Sequence, residues 1–219
     1  MPTPRAVVFD MDGLMFNSED VYTLVGTELL RRRGHVFTPA LKDAMMGLPP
    51  RETFGVMIRW CNLDDSWEEL VPESNGIFVS LLDEHLAPMP GLMELLDQLE
   101  QAGIPKAIAT SSGRQLADAC LSRFDLPRRF EFVLTAENVT SGKPNPEIYL
   151  TAAERLGLDP EDVLVLEDSE NGCRAAAASG AYAVAVPSEH SRTHDFSVAS
   201  LVIDGLGDRR LYEALGLDP

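Results

Sequence analysis

Two carboxylates and a glycine follow the first apolar run of the chain. Residues 6–9 read Ala-Val-Val-Phe, and Asp10, Asp12 and Gly13 come just after them. A continuous apolar run is typical of a strand that is buried on both faces of a parallel sheet. Because open parallel sheets collect ligands at the carboxyl ends of their strands, this position suits chemistry by Asp10 and Asp12. A plain Asp-Gly turn without a function would contain the same residues.

Three more polar groups occupy comparable places further along the chain. They are Thr110 with Ser111 and Glu167 with Asp168, each pair after a predicted strand, and Lys143 in a Gly-Lys-Pro turn. Taken singly, each has an ordinary explanation as a helix N-cap, as acids facing a helix dipole or as a surface turn. Taken together, at the carboxyl edge of one sheet, they predict a single site.

The carboxylates of this set suit a magnesium ion. Asp10 and Asp168, with Glu167 as a further candidate, offer hard oxygen ligands without any His or Cys. Such a donor set fits Mg²⁺ and not zinc. Since Mg²⁺ usually takes one or two protein carboxylates, it leaves positions for a substrate phosphate and for water.

The remaining groups suit phosphoryl transfer. The Thr110 hydroxyl can donate to a phosphate oxygen, the amides after it can bind an anion at the start of the next helix, and Lys143 adds a positive charge. Asp10 would then be a nucleophile that forms an aspartyl-phosphate. Asp12 would protonate the leaving oxygen and later activate water.

The elements that position these groups alternate between strand and helix from Pro90 onward, which predicts an α/β fold with a parallel, doubly wound sheet. In the helix predicted at 145–157, Asn145 is expected to be the N-cap and Pro146 the first helical residue. The predicted strands are 5–10, 106–109, 132–134, 163–166, 183–186 and 201–203, and the other helices are 91–103, one that ends near 124 and one that ends at 180.

Between the first strand and this alternating region, the sequence has only helical patterns. We interpret residues 16–87 as a helical cap domain inserted into an α/β catalytic core formed by residues 1–15 and 88–219. Trp60 and Trp67 are expected in the core of the insert. The helices predicted in the insert are 19–34, 39–46, 50–61 and 67–85.

Composition limits the partners. The chain has 219 residues, of which 18 are basic and 35 acidic, so its net charge of −17 repels nucleic acid. No apolar run approaches the ~18 residues of a membrane helix, the start has no signal-peptide pattern, and the three cysteines fit reduced thiols. We therefore expect a cytoplasmic monomer or weak homodimer that binds a small phosphorylated metabolite and neither nucleic acid nor a membrane.

Four stretches of the chain resemble the motifs of the haloacid dehalogenase superfamily, in order and spacing. The resemblance covers essentially the whole chain and implies a Rossmann-like parallel sheet. It also implies that the insert is a C1 cap of the type found in the β-phosphoglucomutase-like subfamily. The four stretches are residues 9–14, 109–112, 142–146 and 165–172.

The resemblance also implies a role for each matching residue. Asp10 is then the nucleophile and Asp12 the general acid and base. The phosphate is held by Thr110, Ser111 and Lys143. The implied ligands of Mg²⁺ are Asp10, the backbone carbonyl of Asp12, Asp168 and, directly or through water, Glu167.

Differences within the superfamily favour a phosphatase. True dehalogenases lack the second acid of the first motif, which is Asp12 here. The phosphomutases carry a His where this chain has Tyr22 and a Lys near Ser74, whereas their cap arginine matches Arg51. We therefore predict a phosphatase similar to the pseudouridine-5′-phosphatases and sugar-phosphate phosphatases, with Tyr22 and Arg51 as cap contacts to the substrate. A β-phosphoglucomutase-type mutase and a non-catalytic phosphate-binding regulator are the alternatives.

Overall fold

The structure, a computed structural model of the chain, describes residues 3–45, 48 and 50–217. It divides into two compact units, one of Met1–Asn17 with Ala87–Pro219 and the other of Ser18–Leu86. Within the described residues, no helix is both long enough and apolar enough to cross a membrane.

Six strands and nine α-helices form from the described residues. The strands are β1 (Ala6–Phe9), β2 (Lys106–Ala109), β3 (Val133–Leu134), β4 (Val163–Glu167), β5 (Tyr182–Ala185) and β6 (Leu201–Val202). The helices are α1 (Ser18–Arg32), α2 (Pro39–Met45), α3 (Pro50–Cys61), α4 (Trp67–His85), α5 (Leu92–Gln101), α6 (Arg114–Ser122), α7 (Glu147–Leu156), α8 (Glu170–Ser179) and α9 (Arg209–Leu215).

All six strands are parallel and form one sheet in the order β3-β2-β1-β4-β5-β6. This confirms the predicted α/β fold with a parallel sheet. Strand β1 lies at the centre, where Phe9 is in register with Ile108 of β2 and with Leu166 of β4. The chain passes from β1 to β2 and β3 on one side and to β4, β5 and β6 on the other, so the order reverses beside β1. Ligand sites of doubly wound sheets form at such a reversal.

Helices α7 and α8 pack against one face of this sheet through small apolar residues. Val8, Ala107 and Val165 of the central strands lie in one buried cluster with Ile148 and Tyr149 of α7. Four alanines of the two helices allow the helix backbones to approach the strands closely, because a methyl side chain occupies little space between the layers. These alanines are Ala152, Ala153, Ala175 and Ala176.

Several element boundaries differ from the predictions. Helix α7 begins at Glu147, and Pro146 is the N-cap, so the predicted N-cap at Asn145 is wrong by one residue. The Asn145 side chain nonetheless accepts a hydrogen bond from the Glu147 amide at 3.0 Å. Helix α9 was not predicted, and residue 46, which the prediction assigned to a helix, lies outside the described residues.

The insert leaves and rejoins the α/β unit at neighbouring points of the backbone. Phe16 forms isolated bridges with Asp12 and with Pro88. The amide of Asn17 donates to the carbonyl of Ala87 at 3.1 Å, and the amide of Ala87 donates to Oδ1 of Asn17 at 2.7 Å. The two ends of the insertion are therefore joined by hydrogen bonds within the α/β unit itself.

The helical unit has a core of its own. The ring of Tyr22 stacks on Phe78 with the ring centroids 4.6 Å apart. Arg33, at the end of α1, pairs with Asp65 and with Glu73 at 2.7 Å each. Trp67 is half-buried, but Trp60 is 55% exposed, so the expectation that Trp60 lies in the core is wrong.

A buried lysine at the start of β2 depends on an ion network. The ammonium of Lys106 lies 2.9 Å from Oε1 of Glu100. Arg129 donates to the two oxygens of Glu100 at 2.7 and 2.9 Å. The hydrogen bonds from Arg129 lower the pKa of Glu100 to about 2, with the help of Lys106 and against the effect of burial.

Two glycines allow a comparison of backbone strain with steric clash. Gly91 has a φ of +86°, and a Cβ there would lie 2.7 Å from the backbone nitrogen of Gly207. Gly103 has a φ of +66°, but a Cβ there would meet nothing within 4 Å. We expect Gly103→Ala to lower the free energy of unfolding by about 1–2 kcal/mol, and Gly91→Ala by about 1–3 kcal/mol more, because of the overpacking. Urea unfolding measures both values, and equal losses would contradict the expectation.

Glu100 should stabilise the fold in a pH-dependent way. Its folded pKa of about 2 is below the ~4.3 of an unfolded chain. Its contribution is therefore fully present above about pH 5 and is lost as the pH falls towards the folded value. We expect Glu100→Gln to lower the urea midpoint clearly near pH 6 and much less near pH 2.5, where Glu100 of the unfolded chain is protonated and the folded carboxylate is close to its own pKa. The same loss at the two pH values would argue against this assignment.

Candidate active site

The carboxyl ends of β1, β2 and β4 carry the predicted polar residues. The amide of Asp10 donates to the carbonyl of Leu166 at 3.0 Å, and the amide of Thr110 donates to the carbonyl of Leu134 at 3.0 Å. The hydrogen-bond pattern of the sheet therefore continues for one residue beyond β1 and β2. This continuation fixes the backbone from which the Asp10 and Thr110 side chains project.

The Lys143 ammonium connects three parts of the sheet edge. Its Nζ donates to Oδ1 of Asp10 at 2.6 Å, to Oε1 of Glu167 at 2.6 Å and to the carbonyl of Ala109 at 3.0 Å. An ammonium has three donors, so these contacts use all of them. The Lys143 side chain is only 6% exposed, and its charge acts with little screening by water.

A short turn holds Lys143 in this position. The amide of Asn145 donates to the carbonyl of Gly142 at 3.0 Å. The Glu147 carboxylate accepts hydrogen bonds from the amides of Thr140 and Ser141 at 2.8 and 2.9 Å. The peptide bond between Lys143 and Pro144 is cis. The turn is thus fixed at both ends, and Lys143 is held from the first turn of α7.

Both oxygens of Glu167 have protein donors. Besides Lys143, Oε1 accepts a hydrogen bond from the hydroxyl of Tyr149 at 2.5 Å. Oε2 accepts from the Ser169 hydroxyl at 2.9 Å and from the Ser169 amide at 3.3 Å. The Lys143 ammonium also lies 5.0 Å from the centroid of the Tyr149 ring. Tyr149 therefore supports both members of the Lys143–Glu167 pair.

Three buried carboxylates converge beside this lysine. One oxygen from each of Asp10, Glu167 and Asp168 can be chosen so that all lie within 4.8 Å of one another. Asp168 also lies 3.5 Å from the hydroxyl of Ser188. When all three carboxylates are ionised, the single ammonium balances only one of their negative charges, and the donor atoms are all hard oxygens. A small divalent cation such as Mg²⁺ fits this set.

Burial governs the electrostatics of the site. Burial raises the pKa of Asp10 to about 8, although the Lys143 ammonium acts in the opposite direction. For Lys143, burial favours the neutral form, but the carboxylates of Asp10 and Glu167 outweigh it and raise the pKa above its ordinary value. Lys143 therefore stays positively charged. A further cation nearby would favour the ionised form of Asp10.

Asp12 is held by two hydroxyls on the neighbouring strand end. Its Oδ2 accepts a hydrogen bond from Ser112 at 2.7 Å and a longer one from Thr110 at 3.3 Å. Its Oδ1 is buried and has no hydrogen-bond partner among the described residues. One oxygen of the Asp12 carboxylate is thus fixed by hydrogen bonds, and among the described residues the other has no donor.

The amides after β2 are partly occupied. The Ser112 amide donates to Oγ1 of Thr110 at 3.0 Å, and the Arg114 amide donates to the Glu137 carboxylate at 3.0 Å. Ser111 is exposed. Of the amides predicted to bind an anion at the start of α6, two therefore already have protein acceptors, which narrows that prediction to the amides of Ser111 and Gly113.

Two glycines leave room for the carboxylates of Asp168 and Glu167. Gly13 has a φ of +76°, and a Cβ there would lie 2.2 Å from Oδ2 of Asp168. A Cβ at Gly172, in the first turn of α8, would lie 1.8 Å from the carboxyl carbon of Glu167. Any larger residue would displace Asp168 or Glu167 from its present position.

The structure brings most of the predicted residues together and adds others. The α/β unit holds Asp10, Asp12, Thr110, Ser111, Lys143, Glu167 and Asp168. The sequence analysis did not identify the side chains that orient them, namely Ser112, Tyr149, Ser169 and Ser188. Ser112 gave no signal for this role in the sequence, because it reads as part of a helix start. Tyr149 had no such signal, because it follows the helical pattern of a core residue.

The two predicted cap residues belong to the helical unit. Tyr22 is half-buried and stacks on Phe78, while Arg51 is exposed in the first turn of α3. The packing of Tyr22 gives it a structural role within that unit. Contact of Tyr22 and Arg51 with a substrate stays a prediction.

Comparison with known proteins gives relatives along most of the chain. It is 35% identical over 180 residues to a phosphorylated carbohydrates phosphatase of Thermotoga maritima, covering 80% of this chain and 82% of that protein. It is 33% identical over 207 residues to a probable pseudouridine-5′-phosphatase of Drosophila melanogaster, covering 92% and 89%. A candidate β-phosphoglucomutase of Thermotoga maritima, known as a crystal structure, matches with a TM-score of 0.78, 30% identity and 97% of each chain covered.

A protein-family model also matches most of the chain. Residues 7–186 match the model of the haloacid dehalogenase-like hydrolases, which is well over half of the chain. The relatives named above include two phosphatases, which match 80% and 92% of this chain. The chain therefore belongs to the haloacid dehalogenase superfamily, as one of its phosphoric monoester hydrolases.

Proposed function

We propose that this protein is a Mg²⁺-dependent phosphatase that hydrolyses a small phosphomonoester, a sugar phosphate or a nucleotide-like compound, through an aspartyl-phosphate on Asp10. The observation that carries the proposal is the buried arrangement in which Lys143 bridges Asp10 and Glu167 beside Asp168. Such a site combines a carboxylate nucleophile with fixed positive charge, and phosphoryl transfer needs both.

Asp10 is the proposed nucleophile. One oxygen of its carboxylate attacks phosphorus in line with the ester oxygen, the bond to the ester oxygen breaks, and an acyl phosphate forms. Lys143 holds Oδ1 of Asp10 at 2.6 Å, so the carboxylate does not rotate freely. Thr110, Ser111 and Lys143 are the proposed contacts of the phosphate oxygens.

Asp12 is the proposed general acid and base. In the first step it gives a proton to the leaving alcohol oxygen, and in the second it takes a proton from the water that cleaves the acyl phosphate. The hydrogen bonds from Ser112 and Thr110 fix the Asp12 carboxylate. The proton therefore moves at a defined atom, and the side chain ends the cycle in the state in which it began.

Mg²⁺ would be held by Asp10, Asp168 and the backbone carbonyl of Asp12, with Glu167 as a direct or water-mediated ligand. When bound, the ion would neutralise charge on the transferred phosphoryl group. Glu167 already accepts hydrogen bonds on both oxygens, which favours the water-mediated arrangement for this residue.

The helical unit supplies the proposed specificity. The relatives are named for phosphorylated carbohydrates and for pseudouridine 5′-phosphate, which supports a small phosphorylated metabolite as the substrate. At the position where phosphomutases carry a lysine, this chain has Ser74, which is buried in α4. The lack of a cation at that position favours hydrolysis over phosphoryl transfer between sugar hydroxyls.

The first test is phosphate release from a panel of sugar, nucleotide and pseudouridine monophosphates. We expect Mg²⁺-dependent release with a preference for one compound class, and no turnover by Asp10→Asn, because an amide cannot form the acyl phosphate. Asp12→Asn should lower kcat by about 10²–10⁴-fold. Near-normal turnover by Asp10→Asn would refute the nucleophile assignment.

The same panel separates the alternatives. Conversion of β-glucose 1-phosphate to glucose 6-phosphate without release of phosphate would identify a mutase, the activity suggested by the name of one structural relative. Binding of a phosphorylated compound without either reaction would identify a regulatory protein. Either result would replace the proposal.

Metal binding offers a second test with a direct readout. We expect isothermal titration to show Mg²⁺ binding to the wild type and binding at least about tenfold weaker to Asp168→Asn, because a buried carboxylate ligand is lost. Asp204→Asn, which removes the same charge from a fully exposed side chain, is the matched control. If the two variants bind Mg²⁺ equally well, Asp168 is not a ligand.

A further inference from the structure

The two oxygens of Asp12 have unequal surroundings. Oδ2 receives a short hydrogen bond from the Ser112 hydroxyl at 2.7 Å and a longer one from Thr110 at 3.3 Å. Oδ1 is buried, and among the described residues it has no partner. Because buried carboxylate oxygens nearly always have donors, an oxygen without one indicates a place for a group that the resting protein does not supply.

Ser112 is itself firmly placed. Its amide donates to Oγ1 of Thr110 at 3.0 Å, and its carbonyl accepts from the amide of Ala136 at 3.1 Å. Its hydroxyl and amide thus close a small ring of hydrogen bonds through Asp12 and Thr110. The backbone of Ser112 is fixed on both sides, so its hydroxyl reaches Oδ2 from a constant direction.

We propose that Ser112 is the positioning residue of the acid–base step, a role that rests on the proposed function of Asp12. Ser112 holds Oδ2 so that Oδ1 is the oxygen that faces the reacting group. Oδ1 then gives its proton to the ester oxygen as the P–O bond breaks, and the alcohol leaves neutral. In the second step the same Oδ1 takes a proton from the attacking water.

The hydrogen bonds indicate that Ser112 has a different role from the residues proposed to hold the phosphate. A hydroxyl has a single proton, and the proton of Ser112 is used at 2.7 Å on Asp12. The Thr110 contact to Asp12 is longer, at 3.3 Å, and can be exchanged for a phosphate oxygen. Ser111 is exposed and is not involved in the Asp12 contact. Ser112 therefore acts through Asp12, whereas its neighbours act on the phosphate.

The dependence of kcat/KM on the leaving group distinguishes a residue that acts through Asp12 from a residue that binds the phosphate. An alkyl phosphate releases a strongly basic alkoxide and needs a proton from the general acid, while p-nitrophenolate is a stable anion that leaves without one. The kinetic parameter to compare is kcat/KM, since it covers the steps up to the release of the alcohol and excludes the hydrolysis of the acyl phosphate.

The experiment compares Ser112→Ala with the wild type on two esters. These are the sugar or nucleoside monophosphate that is hydrolysed fastest and p-nitrophenyl phosphate. We expect kcat/KM to fall by about 10–100-fold for the alkyl ester and by less than about threefold for the nitrophenyl ester. Ser112→Thr keeps the hydroxyl and should restore most of the lost activity on the alkyl ester.

Two further variants serve as references. Ser111→Ala, at a proposed phosphate contact, should lower kcat/KM by a similar factor for both esters. Ser179→Ala removes a buried hydroxyl that donates to the carbonyl of Ala176 and accepts from the amide of Ala181, both local to the end of α8. It should leave the ratio of the two kcat/KM values unchanged, and so it controls for a general loss of stability.

Different results of this experiment would contradict the inference and the proposed function. Equal losses of kcat/KM on the two esters for Ser112→Ala would make Ser112 a phosphate contact and would overturn the inference, and so would no loss on either ester. A wild type that releases phosphate from neither ester would refute the proposed function itself, and this inference with it.

Discussion

A single ammonium inside a group of buried carboxylates is the constraint on which the α/β unit depends. Buried charge is costly unless it is paired, and Lys143 pairs with Asp10 and Glu167 at 2.6 Å each. These contacts tie the ends of β1 and β4 to the turn before α7, and the carbonyl of Ala109 adds β2. The relative positions of three strands and one turn are thus set by electrostatics as well as by packing.

Close packing around the carboxylates fixes the geometry further. Tyr149 belongs to the apolar cluster between the sheet and α7, and its hydroxyl reaches out of that cluster to Glu167. Glycines at 13 and 172 let the backbone approach Asp168 and Glu167 more closely than any other residue would allow. The hydrophobic core and the polar site are therefore continuous, and a change in one affects the other.

Sequence analysis could predict the strands and the acids at their ends, because a buried parallel strand is an apolar run and its end is marked by an abrupt change to charge. It placed β2, α3 and α4 at the observed residues, and it made β1 one residue too long at each end. It could not predict side chains whose role depends on three-dimensional contact. Tyr149 looks like any core residue of a helix, and Ser112 looks like part of a helix start.

The errors have local causes. Pro146 was assigned to the first turn of a helix because proline is common there, but the Glu147 carboxylate folds back to the amides of Thr140 and Ser141, and the helix begins one residue later. Trp60 was assigned to the core of the insert. Trp60 lies three residues after the buried Met57, which is the spacing of a covered helix face, but it is near the end of α3 and is 55% exposed.

The way in which the helical unit is inserted has a consequence for evolution. The chain leaves at Asn17 and returns at Ala87, and these two residues are joined by two hydrogen bonds of the α/β unit. The ends of the insertion are already held together. Lengthening it therefore costs little loop-closure entropy, about 0.6 kcal/mol for each doubling of a flexible loop. An insertion that is closed in this way can be lengthened or exchanged without altering the register of a single strand.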